Sequence, residues 1–261
     1  MQVCVSVKQV MVGTTMPVTG NKSLLNYSLS IRHRADGFSF YVQSTGSGKV
    51  ILRDDIKLQE GEEAHAALER GLSSKRISGY CYERVNMLVA TPSTRLPLDE
   101  FRRDDMLAVY RTAYHGTTAK REDIKFQVLP TLEVVELFTL SPQIETTLHQ
   151  HYPGAVIQGL YGTVLQHISE TQQGSTMPLS FHAISLDNQI FIIQLKQGRL
   201  TYANTFQATL PEDQLYFLLY IWKLFNLDAH HDICTLYNTT KELLPLVRDF
   251  IVNVQTKTIP L

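Results

Sequence analysis

The chain has little of what marks most function classes at sight. Its 261 residues carry only three cysteines, Cys4, Cys81 and Cys234, far apart and without a CxxC pair. So sparse and odd a set excludes a disulfide framework and predicts reduced core thiols in a cytoplasmic protein. Charge of one sign is also missing: 24 Lys and Arg against 25 Asp and Glu leave a net charge of -1. No global field therefore draws the chain to nucleic acid or to an anionic membrane. No apolar run approaches the ~20 residues that span a bilayer, so no membrane insertion is expected. The opening MQVCVSVKQVMVGTTMP alternates like a strand and lacks the basic start and unbroken apolar core of a secretory leader. There is no GxSxG elbow and no complete Walker loop. What remains, 44% hydrophobic and 19% charged, is a globular composition. The length suits one large domain or two halves.

Residues 27–35, YSLSIRHRA, and 38–43, FSFYVQ, alternate on either side of Asp36-Gly37. An Asp-Gly pair between alternating runs predicts a tight hairpin, since both residues tolerate positive φ. STGSGK then makes a second turn, and VILRDDIKL a third strand. EGEEAHAALERGL predicts a helix, with acids suited to the positive end of its dipole. VNMLVATP (85–92) reads as a strand, LDEFRRDDMLAVYRTAY (98–114) as a helix, and FQVLP and VVELFTL as strands. Ser141-Pro142 caps a further helix. AVIQGLYGTVLQHISETQ fits a connecting helix better than a strand, and QQGSTMP (172–178) reads as the linker. The second half gives strand, Asp-Asn turn, strand, Gly turn, strand, followed by the helix LPEDQLYFLLYIWKLFNL, the strand DICTLYN and a last helix, KELLPLVRDFIVNV, with a kink expected at Pro245.

The halves match element by element, each βββαβα. Leu29-Ser30 faces Leu179-Ser180 at an offset of 150, and Asp36-Gly37 faces Asp187-Asn188 at 151. Phe40-Tyr41-Val42-Gln43 faces Phe191-Ile192-Ile193-Gln194, and Gly48-Lys49-Val50 faces Gly198-Arg199-Leu200. Such a repeat constrains the whole architecture. Two βββαβα units in one chain resemble the duplicated, ribonuclease H-like fold of the actin-like ATPase superfamily, which includes actin, sugar kinases and the seventy-kilodalton heat-shock chaperones. AISLDNQIFIIQ, LTYANTF and LPEDQLYFLLY resemble an uncharacterised bacterial family of about this length, with pilus-assembly and secretion proteins of degenerate actin-like fold as functional analogues. The resemblance implies an α/β protein of two lobes with mixed sheets, residues 1–172 with connecting helices and residues 173–261.

The resemblance also implies where nucleotide would bind. Active members carry an Asp on the first hairpin strand and a Gly-rich turn, repeat the pattern in the second half, and have a Gly-Gly pair near the adenosine. Here the first strand reads Leu29-Ser30-Ile31-Arg32-His33-Arg34, with no carboxylate, and Asp36 stands only in the turn. The second hairpin reads Asp187-Asn188-Gln189 without Gly, and Leu236-Tyr237-Asn238-Thr239 stands where Gly-Gly is expected. Gly46-Ser47-Gly48-Lys49 is no substitute, because Val50 and a strand follow the lysine where Ser or Thr and a helix are required. It reads as a turn.

His149 and His151, and His230, His231 and Asp232, are the dense histidine groups, too few for a zinc set and read as solvated loop residues, so no metal is expected. The basic cluster of Arg32, His33, Arg34, Lys49 and Arg53 reads as the solvated face of an edge hairpin. Residues 212–227, EDQLYFLLYIWKLFNL, predict a helix apolar nearly all round. Leu215, Leu218, Leu219, Trp222 and Phe225 make a sheet-facing stripe. A second face, with Tyr216, Phe217, Tyr220, Ile221 and Leu224, is covered either by the other half of the chain or by a protein partner or second copy. The expectation is thus an interaction or scaffold protein without catalytic residues or cofactor. The alternative is a divergent ATPase or phosphotransferase holding ATP and magnesium through Asp36, Gly37, Lys49, Asp187 and Asn188.

Overall fold

A computed structural model describes residues 27–172, 179–186 and 188–259. The N-terminal alternating segment, the linker after Gln172 and Asp187 lie outside the described residues. The chain forms two compact units, one holding the chain up to residue 95 with 101–127 and 136–160, the other 96–100, 128–135 and 161–261.

In the first unit β1 (Tyr27–Arg34), β2 (Gly37–Ser44) and β3 (Val50–Lys57) form an antiparallel meander. Their period-two pattern puts Leu29, Ile31, Phe38, Phe40 and Val42 on one buried face. The helix α1 (Ala64–Leu72) covers that face with Ala67, Leu68 and Leu72. It comes so close that a Cβ on Gly71 would run into the ring of Phe40. A short helix, α2 (Lys75–Ser78), is capped by Ser74, and β4 (Tyr82–Val89) then runs parallel to β1. The segment that follows contains β5 (Ser93–Pro97), α3 (Met106–Ala113), β6 (Ile124–Leu129) and β7 (Val134–Thr139), whose strands make a small sheet in the order β5-β7-β6. The helix α4 (Pro142–His151) starts as its sequence dictates, with Ser141 Oγ accepting from the Ile144 amide and Pro142 in the first turn. It packs beside α1 and adds Ile144 and Leu148 to the same core. The strand β8 (Val156–Gly159) lies parallel to β4 and completes the order β3-β2-β1-β4-β8. From it α5 (Leu160–Gln172) continues directly.

The second unit repeats the plan. Strands β9 (Leu179–Leu186), β10 (Gln189–Lys196) and β11 (Arg199–Gln207) form the meander. They are followed by α6 (Pro211–Leu224), β12 (Cys234–Tyr237), α7 (Leu243–Arg248) and β13 (Val254–Lys257), in the order β11-β10-β9-β12-β13. Leu218, Ile221 and Trp222 of α6 and Leu243 and Val247 of α7 close a core over Phe181, Ala183, Ile190 and Ile192. Phe191 points to the opposite face and meets the ring of Tyr161 edge-on at 5.2 Å.

The repeat is real, but its register is not the one read from sequence. Ile31 pairs with Phe40 and Ala183 with Ile192, so the first two strands recur at an interval of 152, not 150 to 151. The connection from Val42 to Leu52 is two residues longer than that from Gln194 to Tyr202, which reduces the interval to 150 in the third strand.

Three local expectations are corrected. Of the helix predicted over 98–114, α3 keeps only the end, because the Leu98 amide donates to Glu133 O at 2.8 Å and Ser93–Pro97 is a strand. The segment 155–172 is a strand and then a helix. The last predicted helix stops at Arg248, and 254–257 pairs with β12 instead. Pro245 causes no kink there, since it lies in the first turn of α7, where a missing N–H costs nothing.

Candidate functional site

The hairpin turns were the candidate nucleotide positions. Asp36 is exposed in the two-residue turn between β1 and β2, with its carboxylate 3.1 Å from Arg34 Nε. Its carbonyl accepts from the Leu58 amide at 2.9 Å. At the matching turn Asn188 is exposed, and its carbonyl accepts from the Ala208 amide, also at 2.9 Å. Gly37 has φ +142°, and a Cβ there would run into the Ile56 carbonyl oxygen. The close approach of β3 therefore requires this glycine without any phosphate. Asp187 is outside the described residues.

Lys49 is exposed beyond the far end of β2. The strand from Gly37 to Ser44 separates it from Asp36 by about 25 Å at ~3.4 Å per residue, so the structure does not bring these two together. The loop spends its amides internally: Gly48 N donates to Ser44 O at 2.7 Å, and Lys49 N to Ser47 Oγ at 3.3 Å. STGSGK is a hairpin turn.

The sheet face beneath this hairpin is polar. The guanidiniums of Arg32 and Arg53 lie 5.9 and 5.5 Å from the centre of the Tyr41 ring. Asp55 accepts from Ser39 Oγ at 2.5 Å and from Arg53 Nε at 3.0 Å. Partial burial works against the Asp55 charge, but Ser39, Arg53 and Arg34 outweigh it and hold the carboxyl below its usual range. Both carboxylates near the turn are thus committed to arginine.

The histidines do not converge. His149 Nε2 contacts Ala155 O at 3.2 Å, His151 Nε2 lies 2.8 Å from Glu69, and His231 Nδ1 lies 3.1 Å from Asp228. Among the described residues no three His, Cys, Asp or Glu side chains form a metal-binding group. Cys234 is a core residue whose thiol burial pushes up to about 12, the inert form of a cysteine.

Helix α6 offers the other site. Pro211 opens it, Glu212 and Asp213 fill its first turn, and Lys223 stands in its last. Gln214 anchors it: buried, it accepts from Ser185 Oγ at 2.8 Å and donates to Ala208 O at 3.2 Å. That tether was not foreseen, since a glutamine among acids gives no sequence signal. Of the five residues assigned to the contact face, Ile221 is only 1% exposed and belongs to the core. The helix turns Leu218, Ile221 and Trp222 inward together, so the sheet-facing stripe lies one position round from the expected one. Phe217 is half-buried, its ring stacked on Phe206 of β11 at 4.5 Å. Tyr216, Tyr220 and Leu224 are 63%, 54% and 56% exposed, and the two tyrosine rings lie nearly parallel at 6.3 Å. Beside them Leu219, Trp222, Lys223 and Phe250 help line an open hollow of about 610 Å³. Phe250 is itself 56% exposed, a second hydrophobic site that sequence reading did not single out.

Known proteins share this architecture. A protein of Bacteroides thetaiotaomicron VPI-5482 with an actin-like ATPase fold and unknown function is similar at 24% identity, over 89% of this chain and 91% of that one, with a TM-score of 0.73. PilM, in the PilM-PilN type IV pilus biogenesis complex, is similar at 11% identity over 88% of each chain, with a TM-score of 0.52. No curated protein matches the chain. The fold is the actin-like ATPase fold. Residues 20–254 match the profile of the family described as protein of unknown function DUF3822, and the chain belongs to that family.

Proposed function

We propose that this protein is a non-catalytic member of the actin-like fold that acts by binding another protein chain, without a nucleotide cofactor. The observation that carries the reading is the exposed face of α6, where two stacked tyrosines and a leucine stand in solvent on a helix anchored to its own core. Aromatic side chains exposed together on a rigid element are the composition of an interface core. The hairpin supports the same reading. Its strand supplies Arg32 and Arg34 where active relatives carry a carboxylate, and Asp36 and Asp55 are neutralised by arginine. PilM, solved together with PilN, is a protein of this fold that works in a complex. The sparse cysteines support a reducing, cytoplasmic setting as part of this reading, and no helix among the described residues is long and apolar enough to cross a membrane.

Calorimetric titration with ATP and Mg²⁺, with AMP as control, tests this. The expected result is no saturable heat and an unchanged melting temperature at millimolar nucleotide. Saturable binding of ATP but not AMP would overturn the reading in favour of a Mg-nucleotide enzyme.

A further inference from the structure

We infer that the exposed face of α6 pairs with the same face of a second copy of this chain, the two helices running antiparallel across a two-fold axis near Leu218. The inference rests on the reading of α6 as a contact surface and names its occupant.

The pattern of exposed side chains carries it. Glu212, Tyr216, Tyr220 and Lys223 follow one another at i+4, i+4 and i+3, so they form a single stripe, and all four are exposed. The stripe is acidic at its start, aromatic in the middle and basic at its end. Such a stripe is complementary to itself when reversed. With the axis at residue 218, each Tyr216 faces Tyr220 of the second copy. Glu212 and Lys223 lie on the same flank of the stripe, and a two-fold axis between antiparallel helices brings like flanks together, so Glu212 of each copy meets Lys223 of the other. Leu224 on the opposite flank then faces Asp213 and covers the rim of the tyrosines. A parallel arrangement would set acid against acid and lysine against lysine. Reversal also sets each helix's positive end beside the other's negative end.

The stripe is preorganised for such a contact. The Tyr216 ring is stacked with Tyr220 and meets Phe217 edge-on at 5.2 Å, while Phe217 is held by Phe206. Little side-chain freedom is left to lose on association. The hollow beside Lys223 and Phe250 opens on the flank where the second copy's first helical turn arrives. A closed two-fold pair satisfies the face completely and leaves no repeated surface to grow from.

Sedimentation equilibrium of the full chain is the test, with Lys223→Glu, Tyr220→Ala and the charge exchange Glu212→Lys with Lys223→Glu. The wild type is expected to be a dimer. Lys223→Glu and Tyr220→Ala should each raise its dissociation constant at least tenfold, with melting temperatures of the dilute monomers unchanged. The charge exchange should restore pairing to within about threefold of wild type. A wild-type monomer at 100 micromolar (about the concentration that a ~10⁻⁵ M dimer would fill) overturns the inference but leaves α6 open to a different protein. A dimer indifferent to Lys223→Glu and Tyr220→Ala overturns it too. Neither outcome bears on nucleotide, which the calorimetry reads separately.

Discussion

His182 shows what a single residue can conceal in an apolar pattern. In FHAISL it is one polar position of an alternating strand, yet it is only 1% exposed and neither ring nitrogen has a partner among the described residues. The ring lies 5.8 Å from that of Tyr237. Burial lowers the imidazole from 6.5 to about 4, and the Lys257 charge pushes the same way. The folded protein therefore holds His182 neutral while the unfolded chain takes up a proton below pH 6.5. Stability is intact above that pH and is lost progressively as pH falls toward about 4. A shift of this size corresponds to about 3 kcal/mol when complete. Urea unfolding at pH 7 and pH 4.5 should show the wild type losing roughly 2 kcal/mol more between the two than His182→Leu does. Parallel losses would mean that the site admits the charged ring.

At the scale of the element, helices were legible where their signals are local. Ser141-Pro142 fixes the start of α4 through one side chain and one ring, both visible in four letters. Boundaries failed where a distant strand claimed the backbone, as Glu133 claims Leu98 and β12 claims 254–257. No periodicity within those segments encodes the partner. The inward stripe of α6 lies one position round from the expected one for a related reason. Its spacing identified an aromatic helix, but which stripe turns inward is decided by Phe181, Ile190 and Ile192 of the sheet. The same dependence on a facing sheet explains Gly71, which on helix propensity alone is a weak point of α1, about 1 kcal/mol worse than alanine. Against Phe40, fully buried, the added methyl has no space. Gly71→Ala should consequently destabilise the protein by about 1–2 kcal/mol in urea titration, overpacking outweighing propensity. A stabilised variant would show that α1 can lift off the sheet at little cost.

Over the whole molecule, duplication was the most legible property, because two copies of one plan corroborate each other even when neither carries an invariant motif. Its register was less legible. A match of Phe40 to Phe191 maximises likeness of letters, whereas the pairing of strands matches Phe40 to Ile192. A one-residue slip of that kind would turn every side chain to the other face, so packing, not residue identity, sets the interval. The two connections that follow are where the copies differ most: residues 45–49 join β2 to β3, while only 197–198 join β10 to β11. If the longer loop is only a turn, the shorter one should replace it. Exchanging residues 44–49 for the Lys196–Arg199 sequence keeps the ladder up to Val42 and Leu52 and removes the whole GSGK stretch. Shortening a flexible loop changes closure entropy by only about 0.5 kcal/mol. The exchange should leave the urea midpoint within that margin and leave unchanged any oligomer that α6 makes. A loss of several kcal/mol would reveal contacts of the loop beyond its own hairpin. A loss of partner binding at constant stability would move the functional surface from α6 to the tip of the first meander.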